Sequence, residues 1–344
     1  HKFTMEDGFE IEVTIPEDSK PGDRIEIPLP DDDDEARELF MQLHPANGNM
    51  LYFSSLGEGD NEDESKNQKE DGDEDCDGTN EMAWPAGIQL SQFITSPEAV
   101  PFIQDKVSVL DLGSGMGVSG LAIASALAEL EDDTSREVVL TDLPNATSLL
   151  QSNVDFNREV IQKGEEDGDS KVALKVLPLT WGQTGEDSNS ELKAKKFDLV
   201  VASDVLYNPS PDVCKALGKT MYAFLDGEGK ILLSTRWRKP EEERIFYEEM
   251  ERNGFEFKLI NDVLSLEAKQ PADEEKVVVN PCSLSWKDRS NTESEMYKKF
   301  FSDTKVEVNG ESIALGDLTE AKLDSMKDAE FDQAEDFFIQ IYVG

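Results

Sequence analysis

The chain has 344 residues, of which 38% are hydrophobic, and 33 Lys and Arg residues against 75 Asp and Glu residues give it a formal net charge of −42. This acidity argues against nucleic acid as a partner, because affinity for phosphates depends on Lys and Arg. It would attract a protein partner with a basic surface, and the alternative is that the charge serves solubility alone. Three widely spaced cysteines and two histidines argue against a disulfide framework or a metal site, and no apolar run reaches the roughly 20 residues that span a bilayer.

The N-terminal part of the chain contains two stretches, 9–15 and 25–29, in which apolar and polar residues alternate. A period of two predicts β-strands, and the turn-forming sequence PEDSKPGD between them predicts a β-hairpin segment over 1–30. The segment 31–81 follows and ends with the acidic run 58–81. A segment with dense charge and low hydrophobicity buries too little apolar surface to offset the conformational entropy that it would lose on ordering. We therefore expect an acidic, largely disordered linker over 31–81.

From residue 82 onward, short apolar strands alternate with helical patterns. Strands are predicted at 107–112, 137–142, 171–179, 197–203, 229–235, 254–261 and 337–343, and helices at 118–130, 145–157, 210–225 and 240–252. This alternation predicts an α/β fold with a mostly parallel sheet and helices on both faces. Ligands of such sheets bind outside the carboxyl ends of the strands, so the residues that follow 197–203 belong to the predicted binding rim.

A glycine-rich turn, DLGSGMG, lies between the first of these strands and the helix that follows it. Its glycines Gly113 and Gly115 allow the backbone to approach a ligand closely. Two cofactors fit the pattern, and a purely structural glycine turn is the remaining alternative. A dinucleotide fingerprint can be read from Gly115 onward, and Asp111 with the glycines matches the first motif of enzymes that use S-adenosylmethionine (SAM). Asp111 favours SAM, because a carboxylate suits a cationic amino acid and repels a pyrophosphate.

Asp142 ends the second strand of this part of the chain. With either cofactor its carboxylate is expected to accept hydrogen bonds from the ribose hydroxyls. The alternative role for Asp142 is a cap at the N-terminus of the helix that follows.

Five segments together resemble a known family: EMAWPAGIQLSQFI (81–94), DLGSGMGVSGLAIA (111–124), VVLTDLP (138–144), LTWG (179–182) and FDLVVASDVLY (197–207). In this order they resemble methyltransferase family 16, a group of SAM-dependent protein methyltransferases in which lysine methyltransferases dominate. The resemblance covers about 81–262 and the last strand. It implies a Rossmann-like sheet of seven mostly parallel strands with an antiparallel last strand. The methyltransferase domain would cover 82–344, with an insertion at about 265–333.

The resemblance also implies roles for individual residues. Asp111, Gly113 and Gly115 would hold the methionine end of SAM, and Asp142 would hold the ribose. Trp84 would border the cofactor pocket, Trp181 would pack near the adenine, and Ser203 would line the cofactor mouth. Asp204 and Tyr207 would form the acid-x-x-aromatic motif that is tied to the methyl acceptor. Ordinary core packing is the alternative for both tryptophans. For Asp204 and Tyr207 the alternatives are a helix cap and a lid aromatic.

Methyl transfer to an amine requires the neutral amine with its lone pair aimed at the methyl group, so positioning does most of the work. In this interpretation Asp204 holds the incoming ammonium group, and the ring of Tyr207 lines the lysine channel. The sequence therefore predicts a SAM-dependent protein methyltransferase that modifies lysine. The alternatives are a histidine, arginine or small-molecule acceptor, or a non-catalytic scaffold with the same fold. We expect a monomer in the cytoplasm, with the nucleus as the second compartment.

Overall fold

A computed structural model of the chain describes residues 2–4, 10–12, 24–28, 38–43, 50–54, 80, 82–161, 171–185, 188–236, 238–260, 285–303, 305–308, 311–314 and 339–343. The chain divides into two compact units, 1–180 and 181–344. Within the described ranges, no helix is long and apolar enough to cross a membrane. The same ranges contain no group of three or more metal-ligating side chains.

The strands are β1 (Lys2–Thr4), β2 (Glu10–Glu12), β3 (Arg24–Pro28), β4 (Glu38–Leu43), β5 (Met50–Ser54), β6 (Ser108–Leu112), β7 (Arg136–Asp142), β8 (Val172–Pro178), β9 (Phe197–Ser203), β10 (Leu225–Arg236), β11 (Lys258–Leu259), β12 (Lys305–Val308), β13 (Glu311–Ala314) and β14 (Ile339–Val343). The α-helices are α1 (Pro85–Ile94), α2 (Val100–Ile103), α3 (Val118–Ala128), α4 (Thr147–Ile161), α5 (Pro211–Phe224), α6 (Pro240–Arg252), α7 (Trp286–Arg289) and α8 (Glu295–Asp303).

Seven of these strands form one sheet in the order β11-β14-β10-β9-β6-β7-β8. β6, β7 and β8 pair in parallel, and so do β9 and β10. The last strand, β14, is antiparallel to both of its neighbours. The predicted α/β fold, with seven mostly parallel strands and an antiparallel last strand, is confirmed.

In the first unit, α3 is the central helix of the core. All of its residues from Val118 to Leu127 are buried, as expected for a helix that is apolar on every side. It packs against α1, α4 and strands of the sheet. The short side chains of its sequence, VSGLAIASALA, allow this close packing on several sides.

The N-terminal strands differ from the predicted hairpin. β2 pairs with β1, whereas β3 belongs to an antiparallel sheet with the order β3-β4-β5. The predicted pairing of 9–15 with 25–29 is therefore not confirmed among the described residues, because a period of two identifies a strand but not its partner. β4 and β5 lie inside the predicted linker 31–81, so part of that segment is folded. Residues 55–79 lie outside the described part of the chain.

The second unit contains the remaining strands of the large sheet and two helices, α5 and α6, that pack together. Ser210 caps α5, since its hydroxyl accepts a hydrogen bond from the Val213 amide at 3.3 Å, and Pro211 occupies the first helical position. Part of the predicted insertion 265–333 is described, namely α7, α8 and the β12–β13 hairpin. The ring of Trp286 in α7 stacks on Tyr247 of α6 at 5.2 Å, which anchors α7 to the core.

Candidate functional site

The turn between β6 and α3 is built on left-handed backbone conformations. Gly113, Gly115 and Gly117 have φ values of 66°, 53° and 91°. At Gly117 the turn is also tight, because a Cβ atom would lie 2.9 Å from the terminal carbon Cδ1 of Leu150, which would have to shift. The turn ends directly at the N-terminus of α3, which begins at Val118.

Hydrogen bonds tie this glycine turn to the end of β7. The Ser114 amide donates to the Thr141 carbonyl at 3.0 Å, and the Thr141 amide donates to the Ser114 hydroxyl at 3.0 Å. The Thr141 hydroxyl donates to the Asp111 carbonyl at 2.7 Å, and the Gly115 amide donates to Oδ2 of Asp142 at 2.7 Å. The two strand ends are thereby fixed as one rigid corner, which brings Asp111, the glycines and Asp142 together.

The Asp111 carboxylate is buried and lacks a well-formed hydrogen bond among the described residues. Its side chain is 1% exposed, and neither oxygen makes a well-formed hydrogen bond within the described part of the chain. Burial raises the pKa of Asp111 to about 7, with a further increase from the Asp142 charge, while the nearby Ser114 hydroxyl and Gly120 amide lower it in part. A buried charge of this kind is costly unless a cationic donor reaches it.

Asp142 uses each carboxylate oxygen once. Oδ2 accepts from the Gly115 amide, and Oδ1 accepts from the Leu143 amide at 2.7 Å. Since a carboxylate has about four acceptor positions, it retains capacity for hydroxyl donors. Burial raises the pKa of Asp142. These bonds precede α4, which begins only at Thr147, so the arrangement does not support the alternative role as a helix cap.

Trp84 lies at the N-cap position of α1, directly before Pro85, and is partly buried. α1 reaches the glycine corner through Ser91, whose hydroxyl donates to the Val118 carbonyl in the first turn of α3 at 3.2 Å. Trp84 therefore starts a helix that packs against the helix following the glycine turn.

In the second unit, Ser203 is the last residue of β9 and Asp204 follows it. Asp204 has φ of 56°, the only positive value for a non-glycine residue in the described ranges. Its amide donates to the Ser234 carbonyl on β10 at 2.9 Å, and its side chain is buried. Tyr207, three residues later, is 42% exposed. The predicted acid and aromatic thus differ sharply in their access to solvent.

The Asp204 carboxylate is paired with Arg238, a residue that the sequence analysis missed. Nη1 of Arg238 donates to Oδ1 at 2.5 Å and Nη2 donates to Oδ2 at 2.7 Å. Arg238 lies between β10 and α6, 34 positions from Asp204 along the chain. No local motif marks such a residue, and the one usable signal was its position just after a strand that neighbours β9.

Trp181 lies in the turn that follows β8, next to Gly182 with φ of 91°. The Gly182 amide donates to the Thr220 hydroxyl at 2.8 Å, which ties this turn to α5. The predicted site residues therefore fall into two groups. Trp84, Asp111, Gly113, Gly115 and Asp142 belong to the first unit, and Trp181, Ser203, Asp204 and Tyr207 belong to the second.

Comparisons with known proteins find several that are similar to part of this chain. Protein-lysine N-methyltransferase rrg1 of Schizosaccharomyces pombe is 29% identical over 158 residues, which cover 45% of this chain and 47% of that protein. Mus musculus supplies a Histidine protein methyltransferase 1 homolog, 27% identical over 44% of this chain and 43% of its own length, and Protein-lysine N-methyltransferase EEF2KMT, 28% identical over 50% and 49%. The chain thus spans about half the length of these relatives.

The family comparison covers more of the chain. Residues 62–253 match the family model described as lysine methyltransferase, and this match includes the glycine corner, Asp142 and the Asp204–Arg238 pair. The predicted resemblance to methyltransferase family 16 is confirmed, and the chain belongs to this lysine methyltransferase family.

Proposed function

We propose that this protein is a SAM-dependent protein methyltransferase that modifies a lysine side chain. The observation that carries the proposal is the buried carboxylate of Asp111 at the glycine corner, which makes no well-formed hydrogen bond within the described residues. The α-ammonium group of SAM would provide the cationic donor that this carboxylate needs. A pyrophosphate would instead bring more negative charge to a corner that already contains Asp111 and Asp142.

The residues of the corner fit the other parts of the same cofactor. Asp142 has acceptor capacity for the two ribose hydroxyls, and the backbone at Gly113 and Gly115 carries no side chain that would keep a ligand away. When bound, SAM supplies a methyl group on a sulfonium. The chain's own task is then to hold the acceptor amine in line with that group and in its neutral form.

We assign the acceptor side of the reaction to Asp204 and Tyr207. Tyr207 presents an exposed aromatic ring, which suits the aliphatic and cationic parts of a lysine side chain. The names of two of the relatives refer to lysine and one refers to histidine, so histidine is the second candidate acceptor. The net charge of −42 favours a basic region on the protein substrate.

Isothermal titration with S-adenosylhomocysteine and with NADH tests the cofactor. We expect S-adenosylhomocysteine to bind and NADH not to bind. Asp111→Asn should weaken the affinity about 10- to 100-fold, because a hydrogen bond to a charged group is worth about 1.5–3 kcal/mol. Asp133→Asn, which changes an exposed acid of the same unit, is the matched control. Binding of NADH instead of S-adenosylhomocysteine would refute the proposal.

Transfer itself is tested by incubating the protein with labelled SAM and a cell extract, followed by mass spectrometry of the modified peptides. Methyl groups on lysine support the proposal, and methyl groups on histidine identify the second candidate acceptor. Binding of S-adenosylhomocysteine without any transfer would favour the non-catalytic scaffold.

A further inference from the structure

The Asp204–Arg238 pair is built as a two-point contact. Both carboxylate oxygens accept from separate guanidinium nitrogens, at 2.5 and 2.7 Å, and the Asp204 side chain is only 4% exposed. Arginine presents a planar fork that matches a carboxylate, so the contact fixes orientation as well as charge. An exposed ion pair contributes little, but a buried carboxylate with both oxygens engaged is held in one position.

The backbone of both partners is fixed independently of the ion pair. Oε1 of Glu243, a fully buried residue of α6, accepts from the Arg238 amide at 3.0 Å and from the Lys239 amide at 2.9 Å. On the other side, the Asp204 amide is bonded to Ser234 and its φ of 56° is one that aspartate tolerates only at some cost. Two constrained loops therefore hold the carboxylate and the guanidinium against each other.

We propose that Arg238 is a positioning residue for methyl transfer, an inference that rests on the proposed function. Arg238 holds the Asp204 carboxylate in the orientation in which it meets the acceptor amine, and it balances the carboxylate charge. A bare buried carboxylate would stabilise the ammonium form of the acceptor, which has no lone pair for the methyl group. A carboxylate paired with arginine retains free acceptor positions for an N–H group but stabilises the ammonium form less.

The test compares Arg238→Ala and Arg238→Lys with the wild type. Initial rates of methyl transfer from labelled SAM are measured on the extract protein that the wild type labels, and affinity for S-adenosylhomocysteine is measured by titration. Arg244→Ala is the matched control, because Arg244 also lies near the start of α6 in an ion pair, with Glu248 at 3.4 Å, but is half exposed. For Arg238→Ala, the rates are also measured with added methylguanidinium.

We expect Arg238→Ala to reduce the transfer rate about 100-fold, the scale of a misplaced reacting group, with unchanged affinity for S-adenosylhomocysteine. Methylguanidinium should restore part of the rate, and the control should match the wild type. Arg238→Lys should fold and still lose most of the rate, since an ammonium group cannot make the two-point contact. The transfer rate of the Arg238→Lys variant also tests the role of Arg238 if the alanine variant does not fold.

Three results would overturn this role. They are a wild-type rate in the Arg238→Ala variant, a full rate in the Arg238→Lys variant, or a loss of S-adenosylhomocysteine affinity in parallel with the rate. A wild-type protein that labels nothing would overturn the proposed function itself, and the role of Arg238 with it. Labelling by the wild type with unchanged variants would overturn the role of Arg238 alone.

Discussion

Replacing Asp111 by asparagine should make the cofactor-free protein more stable at alkaline pH while it weakens the cofactor site. Asparagine keeps the shape of the side chain but removes a charge that the fold buries. The pKa of Asp111 rises from 3.8 to about 7 on folding, mainly through burial. At about 1.4 kcal/mol per pKa unit, ionised Asp111 costs the folded state about 4 kcal/mol, which is an upper bound.

The sign of this effect depends on pH in a definite way. Below pH 3.8 the carboxyl group is protonated in both states, and its contribution to stability is fully present. As the pH rises to about 7, the unfolded chain ionises first, so the stability of the folded state falls. Above that pH the penalty is constant. Between about pH 5.5 and pH 8 the advantage of asparagine should therefore grow by about 2 kcal/mol.

The new amide has its own cost, because its N–H groups are buried without designed partners, which typically costs about 1–3 kcal/mol. The net gain at about pH 8 is thus expected to be about 1–3 kcal/mol. Urea unfolding of both proteins without cofactor, at the two pH values, measures it. If the stability difference between the wild type and Asp111→Asn is the same at both pH values, folding does not raise the pKa of Asp111. That result would remove the main support for the proposed cofactor.

The remaining predictions concern packing within the two units. Asn157→Ala removes two bonds, at 2.7 and 2.6 Å, between the Asn157 side chain and the backbone of Tyr52, and should cost about 2 kcal/mol and speed hydrogen exchange in β5. Trp286→Ala removes the ring stacked on α6 and should cost about 3–5 kcal/mol, with proteases cutting first within 285–303. Gly117→Ala should lose more stability in urea unfolding than Gly185→Ala, since both have positive φ but a Cβ meets neighbouring atoms only at Gly117. Equal losses for the two glycine variants would show that packing at Gly117 adds nothing.

Much of the fold was predictable because local patterns specify its elements. The predicted strand 197–203 and helix 240–252 have the same bounds in the structure. The apolar, β-branched run of β9 and the proline with acidic residues that begin α6 are strong local signals. The predicted N-terminal pairing is not confirmed, because a period of two does not identify the partner of a strand, and β3 pairs with β4, the next strand along the chain.

The glycine corner was also readable from the sequence, since Asp111, Gly113 and Gly115 are adjacent along the chain and Asp142 ends the next strand. The raised pKa of Asp111 was not readable, because it arises mainly from burial of the carboxyl group in the folded chain. The order of residues along the chain thus predicts which groups lie together at the corner, whereas burial determines how unfavourable the charged form of each carboxylate is.

The contact between Arg238 and Asp204 is one that no local sequence pattern predicts. β9 and β10 are parallel neighbours in which Ser203 lies opposite Ser234, so the loops that leave both strands start side by side. Asp204 follows the first of these serines by one residue, and Arg238 follows the second by four. Their contact therefore depends on strand register, together with the Glu243 bonds that hold the second loop. A shift of one residue in that register would move Ser234 away from the Asp204 amide and separate the pair. The pairing of β9 with β10 consequently determines that the Asp204 carboxylate and the Arg238 guanidinium meet next to the proposed acceptor. A motif in either loop alone contains only one of these two residues.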